Sequence, residues 1–348
     1  MSEDKILPNQ KNGYELPKSV AVIYSDVKRE YFLSEDAYIA EKDAQDVAET
    51  IAKSVEKLDI KTELYPGNVD LIDKLKINKP DVVINLVDTF KGSDYQASII
   101  PAVFEILEVP YIGTGALGLS LSSNKYLVSQ LYQASGIPVA HSQLFNTPTD
   151  FLDPTLRFPL ISKLNETHGS VELTDKAVSE NEKDLRERLK LLIPTYKESV
   201  LVEEFIVGRE VSAILLEGLN KKVYFSEKIF PETDSKYKFL NFDLKWYSPT
   251  EQNVKFQKYE DPILKEYVKK AFSVMELFDY GKFDVRIDNS GRYFFIDTNP
   301  NTFLGPGGSM STTLELYGVN FEETIKRLLI NTVRDWQGKE RLPYPKSK

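Results

Sequence analysis

The sequence predicts an α/β protein that becomes α+β in its C-terminal part. Short apolar runs alternate with helical periods from Ser19 to Ile112, paired alternating segments fill 200–216, and a hairpin pattern occupies 281–299. Ser19–Tyr24 is a short, apolar, β-branched run, hence a buried strand, and a helical period follows from about Ala37 to Leu58. Asp81–Leu86 reads as a strand, Ser98–Leu107 as a helix and Val109–Ile112 as a strand. This βαβ rhythm implies a parallel sheet with helices on its faces. In SSNKYLVSQLYQASGIP, Ser122 or Ser123 caps a helix that stops at Gly136 before Pro138. RFPLISKLNETHGSVEL reads as a strand, a polar loop containing Gly169 and a return strand. A charged helix runs from about Asn181 to Leu192, and VLVEEFIVGREVSAILLEG supplies two strands. Boundaries near Leu119 and Glu203 divide the chain into 1–119, 120–204 and 205–348.

The segment from Gly281 to Ser311 is the most informative. Asp288-Asn289-Ser290-Gly291 is rich in turn formers between two alternating runs, the mark of a β-hairpin. With Asp288 facing Gly291 across a two-residue loop, Asp284 falls opposite Phe295, and Asp297 and Asn299 follow on the same face. Phe283, Val285, Ile287, Phe294 and Ile296 then form an apolar, core-facing side. Lys282, Asp284, Arg286, Asp297 and Asn299 gather on the other, beside a glycine-rich stretch. Two carboxylates and a carboxamide at this spacing suit hard, oxygen-seeking cations, and the basic groups suit phosphate.

Composition narrows the field. The 348 residues are 41% hydrophobic and 28% charged, enough for two or three buried cores. A net charge of −9 without a dense Lys/Arg block argues against nucleic acid or an anionic membrane as the main partner. The absence of cysteine excludes disulfides, thiolate catalysis and cysteine-ligated metal. Two histidines far apart, His141 and His168, argue against zinc. A polar start and no run of membrane-spanning length make the cytoplasm the expected location.

Several other residues invite a ligand reading beside an ordinary one. Lys163 ends a strand, where a lysine is commonly a solvated edge with its tip in water. The following loop, Asn165–Ser170, could turn the backbone N–H groups of Gly169 and Ser170 towards phosphate oxygens. Lys125 opposes the dipole of the helix it opens, a small cost that an anion would relieve. Glu203, Glu204 and Glu210 are either a salt-bridged surface or a ligand-facing edge. Lys245 could snorkel beside Trp246, and His168 reads as a plain loop residue.

In this order, VPYIGTGALGLSLSSNKYLVSQLYQASGIPVA, FPLISKLN, VLVEEFIVGRE and FDYGKFDVRIDNSGRYFFIDTNPN resemble the ATP-grasp superfamily. Within it the likeness is to the group related to D-alanine–D-alanine ligase, from about Pro80 to Arg334. The resemblance implies an ATP-grasp fold behind an N-terminal Rossmann-like domain, with ATP gripped between the central and C-terminal parts. It places Lys125 and Lys163 on the α- and β-phosphates, and the loop Glu166–Ser170, with Gly169 and Ser170, as a lid. Glu203, Glu204, Phe205 and Ile206 would form the adenine hinge, and Glu210 would hold the ribose. Lys245, Lys282 and Arg286 would serve the transferring phosphoryl group. Asp284, Asp297 and Asn299 would ligate two Mg2+ ions, with Mn2+ able to substitute.

The implied chemistry is an amide ligation in the cytoplasm on small-molecule carboxylate and amine substrates. The carboxylate takes the γ-phosphoryl group of ATP, and an amine then displaces phosphate from the acyl phosphate. A homodimer is suggested by analogy alone, since relatives often dimerise. The alternatives are a nucleotide-binding module with reduced catalysis and a phosphotransferase. Asp297 stands where the family commonly has glutamate, and Lys282 where arginine is usual. VIYSDVKREYFLSED and INLVDTFKGSDYQ replace the substrate-binding glutamate turn and His-Gly pair, so D-alanine is not the expected substrate. Gly305, Gly307, Gly308 and Ser309 are candidates for acyl or carboxylate contacts.

Overall fold

The computed structural model describes residues 16–232, 235–247 and 254–337. The first sheet is built from β1 (Ser19–Ser25), α1 (Glu35–Glu41), α2 (Ala44–Glu56), β2 (Lys61–Gly67), α3 (Leu71–Ile77), β3 (Val82–Leu86), α4 (Ile99–Ile106) and β4 (Tyr111–Ile112). Its strands run parallel in the order β2-β1-β3-β4. The two-residue period of β1 decides which face each side chain serves. Val20 and Val22 join Ala48, Ile51 and Val55 of α2, whereas Ala21 and Ile23 join Leu71, Leu75 and Phe104 of α3 and α4. Both faces are thus covered, as a parallel sheet requires.

The helical period from Ala37 to Leu58 is two helices rather than one. Ser34 caps α1 by accepting from Ala37 N, and the chain breaks at Asp43 (φ −92°, ψ 9°) before α2. The break lets α1 turn Ala37 and Ile39 towards the core of the second sheet while α2 packs on the first. Strand β2 escaped the sequence pattern because it is a partly exposed edge ending in Pro66-Gly67.

After α5 (Ala116–Ser122) and α6 (Lys125–Ala134) comes a second, antiparallel sheet. Its parts are β5 (Ser142–Phe145), β6 (Leu160–Leu164), β7 (Val178–Ser179), α7 (Glu182–Tyr196) and β8 (Val200–Glu204), in strand order β5-β8-β6-β7. Asn124, not Ser122 or Ser123, caps α6, because its side chain accepts from Leu127 N. The return strand after the Gly169 loop is β7, not Val171–Leu173, whose backbone is held in turns.

The third sheet comprises β9 (Gly208–Leu216), β10 (Lys222–Ile229), α8 (Phe242–Trp246), β11 (Lys255–Tyr259), α9 (Pro262–Val274), β12 (Tyr280–Asp288) and β13 (Tyr293–Asn299). The strands run antiparallel in the order β11-β10-β9-β12-β13, and α10 (Ser309–Glu315) and α11 (Phe321–Gln337) close the described chain. Val211, Ala213, Leu215, Phe283, Val285 and Ile287 pack against α6 and α9. The opposite face of β9 carries Glu210 and Ser212, then Ile214 and Leu216, which reach the core shared with the first sheet. No described helix is long and apolar enough to cross a membrane.

Candidate functional site

The hairpin forms, with a different register from the one the sequence predicts. The loop has three residues, Asn289-Ser290-Gly291, with Gly291 left-handed at φ 82° and donating its N–H to Asp288 O. Asp288 also accepts from the N–H groups of Ser290 and Arg292. Val285 faces Phe295, yet Asp284 faces Asp297, so a β-bulge leaves Ile296 as an extra residue on β13. Asp284 is therefore opposite Asp297, not Phe295. The core face likewise gains Phe295 in place of the expected Phe294 and Ile296. Ile296 lines a cleft instead, and its carbonyl, displaced from regular pairing by the bulge, accepts from Lys163 Nζ at 3.0 Å.

The bulge thus brings two carboxylates face to face on the floor of a cavity of about 650 Å3. Asp284 is buried, and both its oxygens are engaged. Its Oδ1 accepts from Ser212 Oγ (2.7 Å) and Lys228 Nζ (3.0 Å), and its Oδ2 from Lys282 Nζ (2.5 Å). Burial alone would raise its pKa, but Lys228 and Lys282 outweigh it and hold the group well below the ordinary carboxylate range. Asp297 accepts from Asn299 Nδ2 at 3.0 Å, and Lys282 and Lys125 lower its pKa against the effect of burial.

Lys228, which sequence reasoning missed, ties this floor together. Its side chain is 1% exposed and also lies 2.7 Å from Glu210 Oε1. Burial opposes its charge, but Asp284 and Glu210 outweigh burial and raise its pKa above the ordinary lysine value. The second Glu210 oxygen accepts from Arg286 at 3.0 Å, and Arg286 also donates to the carbonyls of Ile206 and Lys238 while stacking on Phe205. Glu210 and Arg286 therefore grip each other and the hinge.

The remaining lysines reach the cleft from the side. Lys163 has its tip in protein contacts rather than in water, 2.6 Å from Glu203 Oε2 with the side chains 11% and 6% exposed. Lys125 Nζ donates to Thr167 O at 2.8 Å, and burial lowers its pKa. Lys245 lies on the short helix α8 over the Trp246 ring, its pKa lowered to about 8 by desolvation among the cleft walls and by Lys282. The loop bearing Gly169 (φ 75°) and Ser170 (φ 62°) folds over the cleft, with Gly169 O accepting from Trp246 Nε1. His168 is more than a loop residue, since its Nδ1 lies 2.8 Å from Asp94 and pins the loop to the first sheet.

Every residue proposed from sequence for metal, nucleotide or catalysis lines this one cavity, as do Gly307, Gly308 and Ser309 but not Gly305. At the hinge, Phe205 N donates to Pro159 O and Glu204 N to His141 O. Glu41, Asp88 and Asp94 add acidic lining from the first sheet's side. Burial, then Asp88 and Asp94, raise the pKa of Glu41 well above the ordinary value; burial and Asp94 raise Asp88 to about 7. These acids and Lys228 come from segments distant in sequence from the hairpin, which no local spacing could relate.

The donors of the cleft suit a divalent cation only in part. Among the described residues no group of three or more His, Cys, Asp or Glu is arranged to hold a metal. Asp297 and Asn299 offer the hard oxygen donors that Mg2+ takes, whereas Asp284 is already committed to two ammonium groups.

The chain resembles known proteins along most of its length. A D-alanine--D-alanine ligase of Actinobacillus pleuropneumoniae is 24% identical over 319 residues, 90% of this chain and 97% of that one. An uncharacterised protein, y4sG, of Sinorhizobium fredii is 26% identical over 265 residues, 73% of this chain and 77% of that one. The crystal structure of D-alanine--D-alanine ligase from Bacillus anthracis complexed with ATP superposes with a TM-score of 0.70 at 16% identity, covering 92% of this chain and 99% of that one. The fold is accordingly the ATP-grasp fold. The model of the D-ala D-ala ligase C-terminus matches residues 131–330, more than half of the chain and the whole hairpin, and the protein belongs to that family of ATP-grasp ligases.

Proposed function

We propose that the protein is an ATP-dependent, ADP-forming carboxylate–amine ligase that makes an amide bond through an acyl phosphate. The observation that carries this reading is the single cleft where Lys125, Lys163, Lys245 and Lys282 converge above the opposed carboxylates Asp284 and Asp297. Such a site suits a triphosphate, whose charge the ammonium groups offset. The division into an N-terminal domain ending near 119 and two further parts meeting near 204 agrees with this reading, since the cleft takes lining from residues of all three parts, in the first from α1 and from the chain following β3.

In this reading Lys125 and Lys163 hold the α- and β-phosphates, and the N–H groups of Gly169 and Ser170 cover them. The hinge from Glu203 to Ile206 reads the adenine. Phe205 N–H and the Ile206 carbonyl are already engaged, so the Ile206 N–H is the donor for the base. Glu210 and Arg286 act as struts rather than as ribose and phosphoryl contacts. Asp297 and Asn299 would hold a divalent cation, which would supply charge neutralisation to the triphosphate. Lys282, which lines the cleft, shifts from Asp284 onto the transferring group, and Lys245 closes beside it. The loop pinned by His168 excludes water, which would hydrolyse an acyl phosphate.

No cysteine, serine or histidine nucleophile is needed, because positioning and charge stabilisation do the work. Gly307, Gly308 and Ser309 face the same space as candidates for the substrate carboxylate. The test is magnesium-dependent ADP release over a panel of carboxylates and amines. Release that requires both partners supports the ligase. Tight ATP binding with no turnover on any pair would make the chain a nucleotide-binding module, and release without amine, with stable phosphorylated product, a phosphotransferase.

A further inference from the structure

The cleft floor is nearly balanced in charge by the protein itself. Lys228, Lys282 and Arg286 face Glu210, Asp284 and Asp297, with each contact among the first five at 3.0 Å or less. A carboxylate becomes a good ligand for a hard cation when a lone pair is open towards it and no like charge stands beside it. Asp284 meets neither condition. Ser212 and Lys228 take one oxygen and Lys282 the other.

The two lysines are not equivalent. The Lys282 side chain is 12% exposed and lines the cleft, so it can turn towards a phosphate. Lys228 is 1% exposed, lies within β10 between β9 and β11, and is anchored at its far side by Glu210 at 2.7 Å. It cannot leave Asp284 without stranding a buried charge. Asp297, directly opposite, accepts a hydrogen bond from the Asn299 amide and among the described residues forms no ion pair, Lys282 and Lys125 acting on it from farther off, and with Nδ2 used there the Asn299 Oδ1 remains as a second oxygen donor.

Resting on the ligase reading, we propose that the chain binds one divalent cation with its nucleotide, on Asp297 and Asn299, and that the fixed ammonium of Lys228 takes the place of a second cation at Asp284. One divalent ion leaves the triphosphate net negative towards Lys125, Lys163 and Lys282, whereas two would neutralise it.

The test counts Mn2+ bound per chain in the presence of a non-hydrolysable ATP analogue, by equilibrium dialysis and by electron paramagnetic resonance. The expected result is one Mn2+ per bound analogue with the six-line spectrum of an isolated ion. Two Mn2+, or the exchange-broadened signal of ions about 3.5–4 Å apart, would overturn the inference while leaving the ligase reading intact. The Lys228→Met variant is expected to take up a second Mn2+ at Asp284, and a folded variant that still holds one would overturn the role given to Lys228. Should Lys228→Met fail to fold, the count on the unaltered protein decides alone. An analogue that does not bind at all, with or without metal, would overturn the ligase reading and this inference together.

Discussion

Lys163→Met offers a sharp test, because the structure reverses what the sequence suggests. A lysine tip in water would be cheap to remove, whereas this one lies 2.6 Å from Glu203 and 3.0 Å from Ile296 O, with Glu203 4% exposed. Methionine keeps most of the volume, so no sizeable cavity opens, but Glu203 is left as a buried carboxylate without its cation. Breaking one side of a buried pair costs about 3–5 kcal/mol. At roughly 2–4 °C per kcal/mol for a chain region of this size, Tm should fall by about 10 °C. Lys163→Met combined with Glu203→Gln removes both charges and should recover most of that loss. The assay is thermal unfolding of the single and double variants followed by circular dichroism, without nucleotide. A single variant losing less than about 1 kcal/mol, or a double variant no better than the single, would refute the buried-pair argument.

Asp297→Asn should lower ADP release by about a hundredfold or more, since cation charge neutralisation is worth several kcal/mol. Its melting temperature should stay near that of the unaltered protein, and unchanged turnover would exclude Asp297 as a ligand. Asp88 lines the cleft, where desolvation and then Asp94 raise its pKa to about 7, above the 3.8 of an ordinary aspartate. The folded state therefore binds the proton more tightly than the unfolded chain, so stability should fall as pH rises from about 4 to 7 through this group. Asp88→Asn should remove that part of the decline in a Tm-against-pH series, and an unaltered slope would contradict it. Gly208 has φ 156°, and a Cβ there would lie 2.1 Å from Ile287 O, backbone that cannot swing aside. Gly208→Ala should thus cost roughly 2 kcal/mol or more in chemical denaturation, and a neutral result would show that β9 and β12 can part at that point.

Much of the architecture was legible in the chain itself. The unbroken apolar run Val20–Ile23 marks a strand buried on both faces, periods of 3.6 and two in Glu182–Tyr196 and Phe283–Ile287 report which faces are buried, and turn formers mark where strands reverse. The candidate site residues share one cavity because their motifs sit at fixed ends of those elements.

What the sequence determined by itself is therefore the elements, their order and the polar face of the hairpin, since each follows from interactions within a few residues. Tertiary structure alone decided how charges pair. The Ile296 bulge sets Asp284 against Asp297, β10 delivers Lys228 from 56 residues away, and Asp94 meets His168 across 74. A buried charge takes whichever opposite charge the packed sheets bring within reach, and sequence spacing carries no record of that distance.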